Sequence, residues 1–172
     1  MDSEIFGFVE NTSLRNRMVA TLEHVIFLTT LLKSKQSKKA QSYIYKDCIV
    51  YIASLIECVL RYKILKNFPN EKFPIKDKDY RDVKEIHRLS SEESIVWGIE
   101  KNKEIKISGG TDFCKLNEIA KDKSIIDFST FENCEEIRKW RNTIHIVDTE
   151  EKEIFNEKDL EKASNTLLNL CS

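Results

Sequence analysis

The sequence predicts a mostly α-helical fold: an up-and-down bundle of about five helices with a small β-hairpin insertion near residues 94–108. Three observations predict it. Gly and Pro number only 4 and 2 in 172 residues, and so few breakers suit long helices better than a many-turned β sandwich. Segments starting near residues 14, 38 and 157 repeat apolar side chains at helical spacing. Ile105 and Ile107 instead alternate with charge, the period of a strand. A chain of this length forms one domain, residues 1–172, and buries roughly two-thirds of its unfolded surface without staples.

Each element follows from its own residues. Asn11, Thr12 and Ser13 offer capping oxygens to a helix from about Leu14, with Met18, Leu22, Val25, Ile26, Leu28 and Leu32 on a broad apolar face. Lys33 to Lys39 breaks that pattern as a polar connection. The second helix runs from about Lys38 to Asn67. Its apolar residues fall on more than one face, as in a central, well-covered helix, and Pro69 and Pro74 end it. Glu57 is the odd residue there, and it either finds a partner or points to a wet stripe.

Asp79 to Leu89 reads as a short helix. Ser94–Ile99 and Glu104–Ser108, joined by the polar Glu100–Lys103, read as the two strands of the hairpin, ended by Gly109 and Gly110. Thr111 and Asp112 cap a helix with Phe113, Leu116, Ile119 and Ala120. Ser129 and Thr130 cap the next, Phe131 to about Ile146, whose early acids Glu132, Glu135 and Glu136 suit the helix dipole. Asn156 caps a final amphipathic helix, Glu157 to Leu170.

With 28 basic and 29 acidic residues and a net charge of −1, the whole chain is not an electrostatic DNA or membrane binder, although a local basic patch remains open. The five cysteines are scattered, which argues against a disulfide framework and against a zinc site. Cys48 and Cys58 sit in apolar runs and read as buried small hydrophobes, and His24 as a structural histidine. The first residues lack a signal peptide's basic start, and no apolar stretch is long enough to span a bilayer. The expected location is therefore cytoplasmic, with no metal and no cofactor.

One constellation concentrates chemistry. Arg138, Arg141, Asn142 and His145 stand at i, i+3, i+4 and i+7, which places them on one helix face. Ile137, Trp140 and Ile144 fall on another face and anchor it. The polar face lacks carboxylates of its own, so a cationic surface with one titratable base suits a phosphate ligand. RNA carries its own nucleophile, the 2′-OH, so cleavage needs a proton shuttle near neutral pKa and positive charge for the phosphorane. His145 can be the first, and Arg138 or Arg141 the second. The same spacing also describes a solvated helix face with one surface histidine.

The segment Glu136-Ile137-Arg138-Lys139-Trp140-Arg141-Asn142-Thr143-Ile144-His145 resembles the signature helix of HEPN (higher eukaryotes and prokaryotes nucleotide-binding) domains. Their active members carry Arg, four to six residues, then His; Arg138 and His145 have that gap, and residues 141–145 match a common ending. Residues 54–61, with Glu57, are similar to the family's central helix, and 113–120 to the helix before the signature. The resemblance implies a helical bundle that dimerises through the signature helix, here 131–146, and a metal-independent endoribonuclease for single-stranded or loop RNA, a toxin or phage-defence effector. It implies catalytic roles for Arg138, His145 and Asn142. Arg141, Lys139 and Glu57 form the surrounding substrate-binding set, and an antitoxin or nucleotidyltransferase-like protein is the implied partner. Lys139 stands where active members often have Asn, Asp or His. That leaves a second expectation, a non-catalytic module that binds a nucleotide or a partner protein.

Overall fold

The structure, a computed structural model, describes residues 2–34, 36–142 and 154–172. Its elements are α1 (Asp2–Ile5), α2 (Thr12–Leu31), α3 (Lys38–Asn67), β1 (Lys72–Arg88), β2 (Ser94–Lys106), α4 (Phe113–Asp122), α5 (Phe128–Asn142) and α6 (Glu157–Cys171). They divide into two compact units. One is helical and discontinuous, residues 1–67 with 112–172; the other is the hairpin, residues 68–111.

The helical unit is built around α3. Cys48, Ile49, Ile52, Ala53, Leu55, Ile56, Val59, Leu60 and Ile64 are all buried. Their spacing covers a stripe wide enough for several neighbours, and α2, α4, α5 and α6 all pack on it. The mostly helical bundle with a β-hairpin is thus the observed fold, and α3 has the bounds the sequence predicts.

Helix α2 begins as predicted, with Asn11 Oδ1 accepting from Leu14 N at 2.9 Å. Its face is less buried than its composition suggests. Only Met18 and Val25 are covered, while Ile26 and Phe27 are exposed, because α2 packs mainly on α1 and α3. His24 is exposed too, its ring 4.7 Å from that of Tyr51. Before α2, Phe6 and Val9 are fully buried. Tyr62 Oη fastens this segment to α3 by donating to Phe8 O (3.0 Å) and accepting from Glu10 N (3.1 Å).

Two helix ends rest on side-chain or left-handed geometry. Asn156 caps α6 in a capping box, accepting from Lys158 N while Asp159 Oδ2 accepts from Asn156 N, each at 2.9 Å. At the end of α4, Ser124 adopts φ 55°, and Ile125 N reaches back to Ala120 O at 2.8 Å. With Ser124 N on Lys121 O this is a Schellman turn with serine where glycine is the usual residue.

The hairpin differs from its prediction in its strands. Residues 79–88 belong to β1 and form no helix, and 94–106 is one strand in which Glu100–Lys103 is interior, not a turn. The strands pair antiparallel from Lys72↔Lys106 to Arg88↔Ser94. Irregularities fall between Ile75 and Lys78, Arg81 and Lys84, and Glu85 and His87, all in β1. The reversal lies at 89–93, where Ser90 Oγ accepts from Glu92 N and Glu93 N (3.2 and 3.0 Å).

Candidate functional site

Helix α5 starts three residues before its predicted first residue because Asp127, not Ser129 or Thr130, caps it. Asp127 Oδ1 accepts from Thr130 N at 2.7 Å, and this bond holds the Asp127 carboxyl below its ordinary pKa. Cys134, Ile137 and Trp140 are buried along one side, and Trp140 meets Phe155 edge-on at 6.2 Å. The tryptophan is a core anchor, as its position opposite the arginines implies. Glu136 pairs with Lys162 and so ties α5 to α6.

The other side of α5 carries two carboxylate-held arginines. Arg138 donates from Nε (3.0 Å) and Nη2 (2.9 Å) to Glu135 Oε2. Glu135 Oε1 in turn accepts from Asn117 Nδ2 at 2.8 Å. Asn117 is fully buried in α4 and also donates to Phe131 O at 3.1 Å. Its Oδ1 has no hydrogen-bond partner among the described residues. One turn further, Arg141 Nη1 reaches Glu57 Oε2 across to α3 at 2.8 Å, and Glu57 Oε1 accepts from Arg61 Nη2 at 2.9 Å. The expectation of a carboxylate-free face is therefore corrected: Glu135 holds Arg138, and Glu57 holds Arg141 and Arg61.

The electrostatics follow from partial burial. Desolvation alone would lower the pKa of Arg138, but the hydrogen bond and charge of Glu135 outweigh it and leave it raised. The guanidinium stays charged, and two of its five N–H donors are engaged by Glu135. Such pairing reduces local positive charge and fixes where the guanidinium points. Burial pushes the Cys114 thiol up, opposed by the charge of Arg138, so this neighbouring sulfur is a poor nucleophile at neutral pH. Burial likewise pushes Cys134 up to about 12. Cys48 is buried as expected, and Cys58 is only partly so.

The structure thus brings Arg141 and Glu57 together between α5 and α3, and holds Arg138 on Glu135 of its own helix. Lys139 and Asn142 are exposed on α5. His145 lies outside the described residues, as does the expected extension of the helix to Ile146. Sequence reasoning missed Arg61, Glu135 and Asn117 as members of the site. Two left a signal: Glu135 precedes Arg138 by three residues and Arg61 follows Glu57 by four, both pair spacings on a helix. Asn117 left another, as the polar residue at a core position between Leu116 and Ala120.

No family model, no curated protein and no solved structure matches the chain. Among the described residues, no helix is long and apolar enough to cross a membrane.

Proposed function

We propose that the chain is a HEPN-like, metal-independent endoribonuclease that cuts single-stranded or loop RNA. The observation that carries this reading is the anchorage of Arg138. Its guanidinium donates twice to one oxygen of Glu135, whose other oxygen accepts from the buried Asn117. A donor oriented before substrate arrives stabilises developing phosphoryl charge without reorganising.

In this reading His145 takes the proton of the 2′-OH as it attacks phosphorus and returns a proton to the departing 5′ oxygen. Arg138 offsets charge on the phosphorane, and Asn142 orients the histidine. Arg141 and Lys139 hold the neighbouring backbone, with Glu57 setting the direction of Arg141. On a continuous helix Arg138 and His145 are about 10 Å apart along the axis, and helical side chains lean toward the N-terminus, so Arg138 leans away from His145. The working pair therefore comes from two copies of the chain, joined through the signature helix. A toxin or phage-defence role, restrained by an antitoxin or nucleotidyltransferase-like partner, fits such an enzyme, and a cytoplasmic location fits its substrate.

One observation favours a second reading, a non-catalytic module for a nucleotide or a protein. Both arginines of α5 already face carboxylates, which weakens their attraction for a phosphate. Cleavage of a mixed RNA pool in EDTA by wild type and His145→Ala separates the two. Cleavage by wild type alone, leaving 2′,3′-cyclic phosphates, supports the enzyme; the variant's rate falls by about 10²–10⁴. A folded dimer that cuts nothing, yet gains melting temperature with a nucleotide, supports the module.

A further inference from the structure

The two faces of the hairpin differ in chemistry. Paired residues of an antiparallel ladder share a face, and alternate residues of one strand return to it. Strand β2 has no irregularity of its own, so Ile95, Trp97, Ile99 and Lys103 stand on one side. The register sets His87 opposite Ile95, Lys84 opposite Trp97 and Ile75 opposite Lys103. It also pairs Arg81 with Ile99 and Asp79 with Lys101. The reverse side carries Val96, Glu100 and Glu104 on β2, with Glu85 opposite Val96. There Glu85 pairs with Arg88 at 3.2 Å. By register the glutamates share the reverse side with Lys72, Lys78, Lys106 and Arg88, whereas the indole side carries Arg81, Lys84, Lys101 and Lys103 against one acid, Asp79.

Trp97 is 54% exposed, against 6% for Trp140. Ile95 and Ile99 are also about half exposed beside it. A soluble surface rarely leaves an indole between two isoleucines in water without a use for it. Lys84 and Lys103 are exposed, and neither makes an ion pair among the described residues.

We propose that this face binds single-stranded RNA, with a base stacked on Trp97 and the flanking backbone on Lys84 and Lys103. The inference rests on RNA being the ligand of the chain and adds a second contact surface, on the hairpin. Every base has a π-face, so stacking on an exposed indole is tolerant of sequence, and nearby cations track the phosphates. From Ile95 to Lys103 the strand runs about 26 Å, room for roughly four nucleotides or more. Charge decides against a basic protein partner. By register the apolar residues share their face with Arg81, Lys84, Lys101 and Lys103 and a single acid, Asp79, an excess of positive charge that favours a polyanion with aromatic groups of its own.

The test uses the full chain carrying His145→Ala, so that RNA is not consumed, and a labelled 20-nucleotide oligouridylate. Anisotropy gives the affinity, and tryptophan emission reports stacking, because Trp97 is the exposed indole of the two. The expected result is quenching of the red-edge emission on binding. Trp97→Ala should weaken binding by about tenfold or more, and Trp97→Phe should retain most of the affinity. Lys84→Ala and Lys103→Ala should each reduce the slope of log affinity against log salt by about 0.7. Unchanged affinity in Trp97→Ala, with circular dichroism as in wild type, overturns the proposal. So does a loss of self-association, measured by sedimentation, in place of a loss of RNA binding. The two proposals fail separately. RNA binding that needs Trp97 without any cleavage by wild type leaves this surface standing and removes the nuclease. Cleavage that needs His145, with affinity indifferent to Trp97, does the reverse.

Discussion

Glu57 joins α3 to α5 through one carboxylate and two guanidiniums, and removing it gives a measurable consequence. The side chains of Glu57, Arg61 and Arg141 are 15, 23 and 34% exposed. They lie between an exposed pair, worth about 0–1 kcal/mol, and a buried pair whose breakage costs about 3–5 kcal/mol. The bond to Arg61 spans one helical turn and contributes about 0.3–0.5 kcal/mol. The bond to Arg141 is charge-assisted, is less hydrated and spans two helices. Glu57→Gln keeps the volume and one acceptor, and should cost about 2 kcal/mol in total. The assay is urea unfolding of a double-mutant cycle, Glu57→Gln with Arg141→Met. The expected coupling is about 1 kcal/mol, with m unchanged. The pair Lys66–Glu10, 49 and 80% exposed, serves as the control: molar salt should remove its coupling and leave much of that between Glu57 and Arg141. A coupling below about 0.3 kcal/mol would refute the claim that this bond holds α5 in place.

Other substitutions test other parts of the architecture. Asn117→Ala removes the donors to Phe131 O and Glu135 and opens a buried space, so it should cost about 2–4 kcal/mol in urea unfolding. Asn156→Ala removes half of a capping box and should cost about 1 kcal/mol, read as a lower melting midpoint. Ser124→Gly relieves a left-handed serine and should raise stability by about 0.5–1 kcal/mol. Cys134 keeps its proton to about 12 when folded, while an unfolded thiol loses it near about 8.5. Between those values the unfolded chain binds fewer protons, so stability falls as pH rises, by at most about 1.4 kcal/mol per pH unit for this thiol. Cys134→Ala should flatten the decline between pH 8.5 and 10, and an identical slope in the variant would contradict it.

What was legible in the sequence was local. α3 could be bounded to the residue because a lysine-rich connection precedes it and Pro69 follows. Asn11 and Asn156 announced their helices because a cap acts within three residues. β1 was not legible. Its three irregularities disrupt the alternation that marks a strand, and Val83 and Ile86 fall three apart, as on a helix. Its partner strand hid its own middle, because Glu100–Lys103 is as polar as a turn. At the site, Arg138 and Arg141 were legible from spacing, but the bond of Arg141 joins residues 84 apart. No local pattern announces such a contact, and it decides how much free positive charge the helix presents.

The insertion of residues 68–111 between α3 and α4 also dictates an order of events. The hairpin's contacts are near in sequence and can form as soon as its own residues exist. The burial of α3 on α4, α5 and α6 needs chain made later, and closing over the insertion costs only slightly more entropy than closing over a short loop. The burden falls on synthesis. α3, the helix with the most buried apolar residues, leaves the ribosome before α4, α5 and α6, so a half-made chain displays much of that surface to the cell. Such a nascent chain is a natural client for chaperones.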